Sequence, residues 1–436
     1  MLRAALVAFF TLVVRVFFRR IEVTGGDEVP DGAVIFVGNH PNSLLDPVLV
    51  VTTAERPVSF AAKDVLFKAP LLGWMIRAGG GVPIRRRMDH GGGEVDNSSA
   101  FEALLDVLRG GGAMGIFPEG ISHEGPELAP LKTGAARIAL EAVDGGIPVH
   151  IVPVGLTYFA RDRMRGRVLV HYGAPLRVEP GPIGDSEEAR EAARALTDRI
   201  DDALRDVTLN APDFETQRAL DVLRGLVSPD DQTDALAERA ELNRLVADVW
   251  EDRAGEPAMQ ELLEQARAYA AVLDALDMRD ETLRKGLDRW TWILRCGRHA
   301  LLMLVWLPLA LPGVLLHAPA IVAAALLGRK LSPRGDVEAT TKMMLVTGMV
   351  LLAYLIVTLI VLLGLPMWTN VLAASWGLVA LMLSGWATIR VLERQATLRR
   401  AMRVTMQLAR WRKQIGFLRG ERIALRERFL QVVAGE

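Results

Sequence analysis

A histidine followed six positions later by an aspartate is the first feature of the chain that points to chemistry. His40 and Asp46 come directly after a β-branched run, with Pro41 between them. A neutral imidazole can take the proton of an attacking hydroxyl, and a carboxylate can fix the ring tautomer and stabilise the imidazolium. The pair therefore suits transfer of a group to an alcohol, and the alternative is a structural histidine. Because side chains six positions apart lie on different faces of one helix, we predict His40 in a loop and Asp46 near the N-terminus of the next helix.

Two basic features have the chemistry to bind phosphate. Arg85, Arg86 and Arg87 follow a glycine-rich entry and a strand-like segment. Guanidinium groups bind phosphate bidentately and stay charged, which suits a phosphorylated acceptor or a coenzyme; the alternative is an ordinary solvated charge run. Lys132 opens an alanine-rich helix whose N-terminal amides can also hold phosphate, although close packing of that helix on a sheet explains its small residues equally well.

A third segment ends a strand in a tight Pro-Glu-Gly loop at residues 118–120. Such a loop holds a carboxylate and exposed backbone N–H groups at the mouth of a sheet, where α/β folds place ligands. Glu119 can there bind an acceptor hydroxyl or orient an arginine, and the alternative is a plain surface turn. His123 follows closely, but its spacing from His40 and Glu119 matches no zinc signature, so we expect no metal.

The surrounding sequence predicts the elements that position these residues. Short β-branched runs alternate with helix-like segments over residues 21–180, which favours an α/β domain with a mostly buried mixed sheet. Strands are predicted at residues 33–37, 58–61, 113–117, 149–156 and 168–172. Between residues 186 and 290, Ala, Leu, Glu, Asp and Arg recur at helical spacing and predict a helical region, packed on or beside the catalytic domain and without chemistry of its own.

The composition indicates that part of the chain lies in lipid, since 51% of the residues are hydrophobic and the mean hydropathy is +0.24. The membrane region is predicted at residues 300–389, where residues 300–328 and 343–389 contain no Asp, Glu, Lys or Arg. Prolines in the first stretch predict a re-entrant segment or hairpin, and the second predicts a transmembrane hairpin of residues 343–364 and 371–389. Residues 390–436 are predicted to form a basic helical tail on the cytoplasmic side. Residues 1–20 are predicted to be an interfacial anchor, with a core helix as the alternative.

Charge patterns predict the orientation of the chain and exclude some classes of protein. Arginine and lysine flank each apolar stretch, which predicts that the flanks and the catalytic domain share the cytoplasmic face. The excess of Arg over Lys suggests a GC-rich genome and hence a bacterial inner membrane. A net charge of −1 argues against a general nucleic-acid binder. The single Cys296 excludes an intrachain disulfide framework.

Four blocks in sequence carry a family resemblance. They are Asn39-His40 with Asp46, then Pro83-Ile84-Arg85-Arg86, then Phe117-Pro118-Glu119-Gly120, then Ile151-Val152-Pro153-Val154-Gly155. Together they resemble the glycerolipid acyltransferase family, which makes lysophosphatidic and phosphatidic acid. The resemblance implies a glycerol-phosphate acyltransferase-like domain in which His40 is the base and Asp46 its partner. It also implies that Arg86 and Glu119 bind the acceptor, that Gly120 lies in the loop admitting the phosphate, and that Pro153 shapes the acyl-donor pocket.

Two departures from the common family pattern narrow the resemblance. Five residues rather than four separate His40 from Asp46, and Ile121-Ser122-His123 replaces the usual Thr-Arg after the third block. Both features are similar to the fungal-type glycerol-3-phosphate and dihydroxyacetone-phosphate acyltransferases. The phosphate contact of the missing arginine then falls to Arg85, Arg87 or Lys132.

The expected function is acyl transfer from acyl-CoA or acyl carrier protein to the primary hydroxyl of glycerol 3-phosphate. No metal or other cofactor is expected beyond the acyl donor, and the other partners are the glycerol-phosphate acceptor and membrane lipid. Acylation of lysophosphatidic acid to phosphatidic acid is the alternative within the same class. A catalytically inactive membrane scaffold is the alternative from a different class.

Overall fold

A mixed β-sheet lies at the centre of the predicted catalytic region. The structure is a computed structural model that describes residues 1–85, 96–228, 235–276, 278, 280, 283, 289–364 and 367–434. Within these residues the sheet has eight strands in the order β1-β7-β6-β2-β5-β3-β4, and β8 pairs with β6. The strands are β1 Arg20–Thr24, β2 Ala33–Gly38, β3 Val58–Lys63, β4 Val82–Ile84, β5 Ala113–Ile116, β6 Val149–Phe159, β7 Arg167–Tyr172 and β8 Leu176–Arg177. The predicted mixed sheet is confirmed, with its five predicted strands.

The strand directions gather the sequence blocks at one edge of the sheet. β2 runs parallel to both of its neighbours, β5 and β6. β3 runs parallel to β5 and β4. The carboxyl ends of these five strands therefore share one edge, which is where open α/β sheets place their ligands. His40 follows β2, Glu119 follows β5 and Arg85 follows β4, so all three follow strands that end at this edge.

Helices on the sheet explain why its central strands read as continuous apolar runs. All six residues of β2 are buried. The core of this region joins the sheet to α4 Ser98–Arg109, α5 Gly134–Asp144 and α6 Glu187–Arg205. The smaller helices α2 Leu45–Thr53 and α3 Pro70–Ala78 follow β2 and β3 along the chain. Parallel strands covered in this way have no solvent-facing side and hence no alternation of polar and apolar residues.

The chain divides into two compact units whose boundaries differ from those predicted. The first unit contains residues 1–217, 234–247 and 334–340, and the second contains residues 218–233, 248–333 and 341–436. The first unit thus includes α6, which lies in the helical region predicted for residues 186–290. The reason lies in α6, where Leu196, Ile200 and Leu204 are buried in the same core as the sheet. Helical spacing identified this face correctly, but it does not indicate which core the face joins.

The N-terminal helix α1, Leu2–Phe17, packs one face into the first unit. Val14 and Phe17 are buried, whereas Leu2 and Leu12 are exposed. The Arg165 guanidinium donates hydrogen bonds to the carbonyls of Val16 and Phe18 at 2.7 and 2.9 Å. The helix thus combines features of both interpretations of residues 1–20, because one face lies in the core and apolar residues remain on another. Its role as an interfacial anchor stays a prediction.

The rest of the described chain is helical, as predicted. The remaining helices are α7 Phe214–Val227, α8 Leu236–Arg253, α9 Pro257–Ala275, α10 Arg289–Leu331, α11 Glu338–Gly364, α12 Met367–Arg410 and α13 Arg412–Ala434. Among the described residues, three helical segments are long and apolar enough to cross a membrane by length and composition: Ile293–Leu331, Gly335–Gly364 and Val371–Val404. These helices support association with a membrane.

The predicted hairpin or re-entrant segment at residues 300–328 is instead part of one continuous helix. α10 runs from Arg289 to Leu331 with three prolines inside it. Near Pro312, the Ser384 hydroxyl accepts a hydrogen bond from the Gly313 amide at 2.6 Å and donates one to the Leu309 carbonyl at 2.7 Å. Those two backbone groups would pair with each other in an unbroken helix. A side chain of α12 thus bonds both backbone groups next to Pro312, and the helix continues through this proline without a turn.

Replacing Ser384 with alanine is expected to destabilise the membrane region by about 1 kcal/mol, because the Gly313 amide and Leu309 carbonyl lose a polar partner in an apolar setting. Thermal unfolding in detergent should show a lower melting temperature. Ser375→Ala is the matched control, since the Ser375 hydroxyl is exposed and bonds the Val371 carbonyl of its own helix. Equal melting temperatures for the two variants would contradict this account of α10.

Candidate active site

The loop after β2 brings the imidazole of His40 to the carboxylate of Asp46. Asp46 is the second residue of α2, where the sequence predicted it. The distance from His40 Nδ1 to Asp46 Oδ2 is 2.8 Å. A tight turn makes this approach possible, since Ser43 adopts a φ of 48°, the left-handed region that few residues other than glycine enter. With Nδ1 bound to Asp46, Nε2 is the ring nitrogen that can take a proton from a substrate.

Three donors hold Asp46 in place, and its side chain has no exposed surface. Besides His40, the backbone amide of Asn42 donates to Oδ2 at 2.7 Å and the Tyr158 hydroxyl donates to Oδ1 at 2.5 Å. The first turn of a helix also favours a negative charge, because its free amides point toward that end. A buried carboxylate held by this set of donors is suited to fix the tautomer of His40.

Tyr158 is a member of the site that the sequence analysis did not identify. Burial, together with the negative charge of Asp46, raises the pKa of Tyr158 well above its ordinary value. The phenol therefore stays protonated at neutral pH and remains a donor to Asp46. The signal in the sequence was weak: a polar aromatic residue near the end of β6, a strand that runs parallel to β2 and so ends at the same edge.

Glu119 holds the backbone of the catalytic loop. Its side chain is fully buried. Oε1 accepts a hydrogen bond from the His40 amide at 2.7 Å. Oε2 accepts from the Ala129 amide at 3.0 Å and contacts His123 Nε2. Both carboxylate oxygens are thus bound within the protein, which makes Glu119 a link between two loops of the site. Its predicted contact with the acceptor stays a prediction.

An aromatic stack fixes the plane of the His40 ring. The rings of His40 and Phe117 are parallel within 4°, with centroids 4.1 Å apart. Phe60 stacks on Phe117 in turn, at 5.3 Å. Gly115 makes room for this arrangement, because a Cβ there would lie 2.3 Å from the Phe60 ring. The stack and the Asp46 contact together restrict the orientation of the imidazole.

Gly120 and Lys132 meet at the turn after Glu119. Gly120 adopts a φ of 69°, and a Cβ at this position would lie 2.5 Å from Lys132 Nζ. The Lys132 amide donates to the Pro118 carbonyl at 2.8 Å, which ties the start of α5 to the same turn. The exposed ammonium of Lys132 therefore lies beside the loop that carries Glu119, in a position suited to an anionic ligand.

Replacing Gly120 with alanine is expected to destabilise the protein by about 1 to 2 kcal/mol through its backbone conformation and to weaken acceptor binding by displacing Lys132. Gly111→Ala is the matched control, since Gly111 has a φ of 67° and no atom within 4 Å of an added Cβ. We expect similar melting temperatures for both variants and a raised acceptor KM in Gly120→Ala. An unchanged acceptor KM in Gly120→Ala would argue against a role of Lys132 in acceptor binding.

The remaining predicted residues lie at several places around the sheet. Arg85 follows β4 with an exposed side chain, and its backbone exchanges two hydrogen bonds with the Asn97 side chain at 2.8 and 2.9 Å. Pro153 is buried in β6 opposite Val37 of β2, just before the loop that carries His40. Arg86 and Arg87 lie outside the described residues. The roles of all four in substrate binding stay predictions.

Arg161 is a second residue that the sequence analysis missed. It follows β6, and its guanidinium lies 3.5 Å from the Pro41 carbonyl and 2.9 Å from the Glu124 carboxylate. It thus contacts the loop after His40 and the loop after Glu119. An arginine in a polar turn carries no sequence signal for such a position, because the contact depends on loops about 40 and 120 residues away.

Two family models match the chain. The acyltransferase family matches residues 20–157, and the C-terminal domain of glycerol-3-phosphate acyltransferase 2 matches residues 219–435. The first match covers the strands and loops that carry His40, Asp46 and Glu119. The second covers the three apolar helices.

Individual relatives agree with these matches. Glycerol-3-phosphate O-acyltransferase 2 of Saccharomyces cerevisiae is 31% identical over 257 residues, covering 57% of this chain and 34% of the relative. The 1-acyl-sn-glycerol-3-phosphate acyltransferase of Borreliella burgdorferi is 30% identical over 134 residues, covering 30% of this chain and 51% of the relative. The chain spans about a third to a half of the length of these relatives.

A solved structure is also similar. The crystal structure of the 1-acyl-sn-glycerophosphate acyltransferase from Thermotoga maritima matches 47% of this chain and 78% of that chain, with 23% identity and a TM-score of 0.35. Together with the two family matches, the histidine and aspartate after β2 confirm the resemblance seen in the sequence. The chain therefore contains a domain that matches the acyltransferase family, followed by a region that matches the C-terminal domain of glycerol-3-phosphate acyltransferase 2.

Proposed function

We propose that this acyltransferase moves a fatty acyl group from acyl-CoA or acyl carrier protein to the primary hydroxyl of glycerol 3-phosphate. The observation that carries the proposal is the His40–Asp46 pair, 2.8 Å apart, at the carboxyl edge of the sheet. The yeast relative, named as a glycerol-3-phosphate O-acyltransferase, supports this choice of acceptor, as does the spacing of five residues between His40 and Asp46.

The chemistry follows from the hydrogen bonds around His40. The Nδ1–H group donates a hydrogen bond to Asp46, so the lone pair of Nε2 is free to take the proton of the acceptor hydroxyl as that oxygen attacks the thioester carbonyl. Asp46 stabilises the imidazolium that forms. When the tetrahedral intermediate collapses, the carbon–sulfur bond breaks and His40 returns the proton to the departing thiolate. Glu119 holds the His40 backbone throughout, and no cofactor beyond the acyl donor takes part in the proposed reaction.

The acceptor phosphate requires cations near this pair. Lys132 lies at the Gly120 turn, and Arg85 follows the neighbouring strand β4. We propose these two residues for the phosphate, with Arg86 and Arg87 extending the set. We also propose that Pro153 borders the acyl chain. The catalytic unit is proposed to face the cytoplasm, where phosphorylated acceptors are found, with membrane lipid around the apolar helices. The yeast relative gives no support to the predicted bacterial inner membrane.

The test compares acceptors with one labelled acyl-CoA donor. Detergent-purified protein should convert glycerol 3-phosphate to lysophosphatidic acid with a higher kcat/KM than dihydroxyacetone phosphate or lysophosphatidic acid. His40→Ala, assayed in parallel, subtracts the activity of copurifying enzymes. Acyl carrier protein replaces CoA in a second series. If no combination of the two donors and three acceptors gave turnover, the proposed reaction would be overturned in favour of a catalytically inactive membrane scaffold.

A second candidate is acylation of lysophosphatidic acid. The Borreliella relative, named as a 1-acyl-sn-glycerol-3-phosphate acyltransferase, and the three apolar helices favour it, because this acceptor already carries a chain that resides in the membrane. A preference for lysophosphatidic acid in the acceptor comparison would establish this alternative over glycerol 3-phosphate.

A further inference from the structure

A short segment far along the chain is buried against the catalytic loops. Residues 334–340 connect the end of α10 to the first turn of α11, and they belong to the same compact unit as His40 and Glu119. We call this segment the connector. Its Asp336 and Thr340 are each 2% exposed. Burial of a carboxylate to this degree is costly unless specific partners compensate for the lost water, so the partners of Asp336 indicate what the connector does.

One set of partners lies in the loop after Glu119. Asp336 Oδ2 accepts a hydrogen bond from the Ser122 hydroxyl and another from the Arg334 guanidinium at 3.0 Å. Arg334 also donates to Ser122 Oγ at 3.2 Å. Ser122 directly precedes His123, whose ring contacts Glu119 and whose amide donates to the His40 carbonyl at 3.2 Å. The connector is thus bound to Ser122, and the next residue, His123, holds the His40 backbone.

The other partner lies in the loop after His40. The Thr340 hydroxyl donates to the Asn42 carbonyl at 3.3 Å, and Asn42 is fully buried. The backbone amide of the same Asn42 donates to the Asp46 carboxylate at 2.7 Å. The connector therefore contacts both loops of the site. In one loop it bonds Ser122, which precedes His123, and in the other it bonds Asn42, which donates to Asp46.

Neither loop has regular secondary structure to fix it. Each contains a residue in the left-handed region, Ser43 with a φ of 48° and Gly120 with a φ of 69°. Their positions must come from side-chain contacts, and displacements of about 1 Å can reduce catalysis roughly 100-fold when a base is aligned with its substrate. Asp336 supplies such a contact, because its buried carboxylate bonds the Ser122 hydroxyl and is paired with Arg334.

We propose that Asp336 and Thr340 are positioning residues of the acyltransferase, through which the connector between α10 and α11 holds the two catalytic loops in register. This inference rests on the proposed acyl transfer. It gives residues between two apolar helices a part in catalysis: Asp336 acts through Ser122 and the loop of Glu119, and Thr340 acts through Asn42 and Asp46.

Kinetics of the full-length protein in detergent test the proposal first. Asp336→Ala and Thr340→Val should each lower kcat at least about tenfold, with the KM of both substrates changed less than about twofold, because alignment rather than binding is lost. Thr340→Ser keeps the hydroxyl and should retain activity. Ser122→Ala combined with Asp336→Ala should lose little more than the worse single variant, since both remove one contact. Unchanged kcat in both single variants of the connector would overturn the proposal.

Hydrogen exchange measured by mass spectrometry gives a readout that does not need turnover. In Asp336→Ala, peptides covering residues 39–46 and 118–125 should exchange faster, while peptides from the β2 strand keep their protection. Ser384→Ala is the control, because it destabilises the second unit without touching either loop. Faster exchange with inactive wild-type protein would uphold the connector and reject the proposed reaction. Unchanged exchange in both loops would reject the connector even if the wild-type protein is active.

Discussion

Replacing His40 with alanine is expected to reduce acyl transfer by at least about 1000-fold, because the acceptor hydroxyl loses the base that takes its proton. The fold should be retained, since the His40 side chain is 15% exposed and its loop is held mainly through the backbone. The measurement is single-turnover transfer from labelled acyl-CoA to glycerol 3-phosphate, which separates chemistry from substrate binding. Acceptor and donor affinities should change little.

The matched control for this prediction is His150→Ala. His150 lies near the amino end of β6, paired with Val34 at the start of β2, and hence at the opposite edge of the sheet from His40. This variant should keep the rate of the wild-type protein. A His40→Ala protein that folds normally and transfers acyl groups at near the wild-type rate would exclude His40 as the base and move the search to another group at the carboxyl edge.

Asp46→Asn is expected to lower kcat by about 1000-fold or more while the substrate affinities stay nearly constant. An amide cannot accept three hydrogen bonds in the way a carboxylate does, and its NH2 group favours the wrong tautomer of His40. The imidazolium that forms when His40 takes a proton also loses the negative charge of Asp46 that stabilises it. Single-turnover rates and KM values check the prediction, and circular dichroism should show that the secondary structure is unchanged.

Tyr158→Phe provides the comparison for Asp46. It removes one donor, the hydroxyl 2.5 Å from Oδ1, and leaves the His40 contact through Oδ2 in place. We expect a loss of about tenfold, smaller than that of Asp46→Asn because the imidazole keeps its partner. Equal losses in the two variants would mean that the phenol has a part beyond holding Asp46, for example contact with the reacting oxygen.

The predicted and observed secondary structures agree where the signal is local. The apolar run of residues 33–37 predicted a buried strand, and proline with a six-residue separation predicted that His40 and Asp46 lie in a loop and a helix start. Helical spacing at Leu196, Ile200 and Leu204 likewise identified a real buried face. In each case the residues that decide the structure are neighbours along the chain, so their order carries the information.

The disagreements come from contacts between distant residues. Prolines in residues 300–328 predicted a break, but α10 continues through them, and Ser384, over 70 residues after Gly313, bonds the Gly313 amide next to Pro312. The catalytic unit extends beyond residue 180 because α6 shares the core of the sheet. Local composition cannot predict a hydrogen bond that another helix supplies, and it cannot predict which core a helix joins.

By itself, the sequence determined the family resemblance, the order of the four blocks, the strands that carry them and the apolar character of residues 300–328 and 343–389, because each depends on residue types at short spacing. Only the tertiary structure decided what surrounds His40: the parallel ring of Phe117, the Tyr158 phenol on Asp46 and the connector at Ser122, 214 residues from Asp336. Hydrogen bonds and ring contacts act over a few ångströms. The fold alone brings such distant residues within that range.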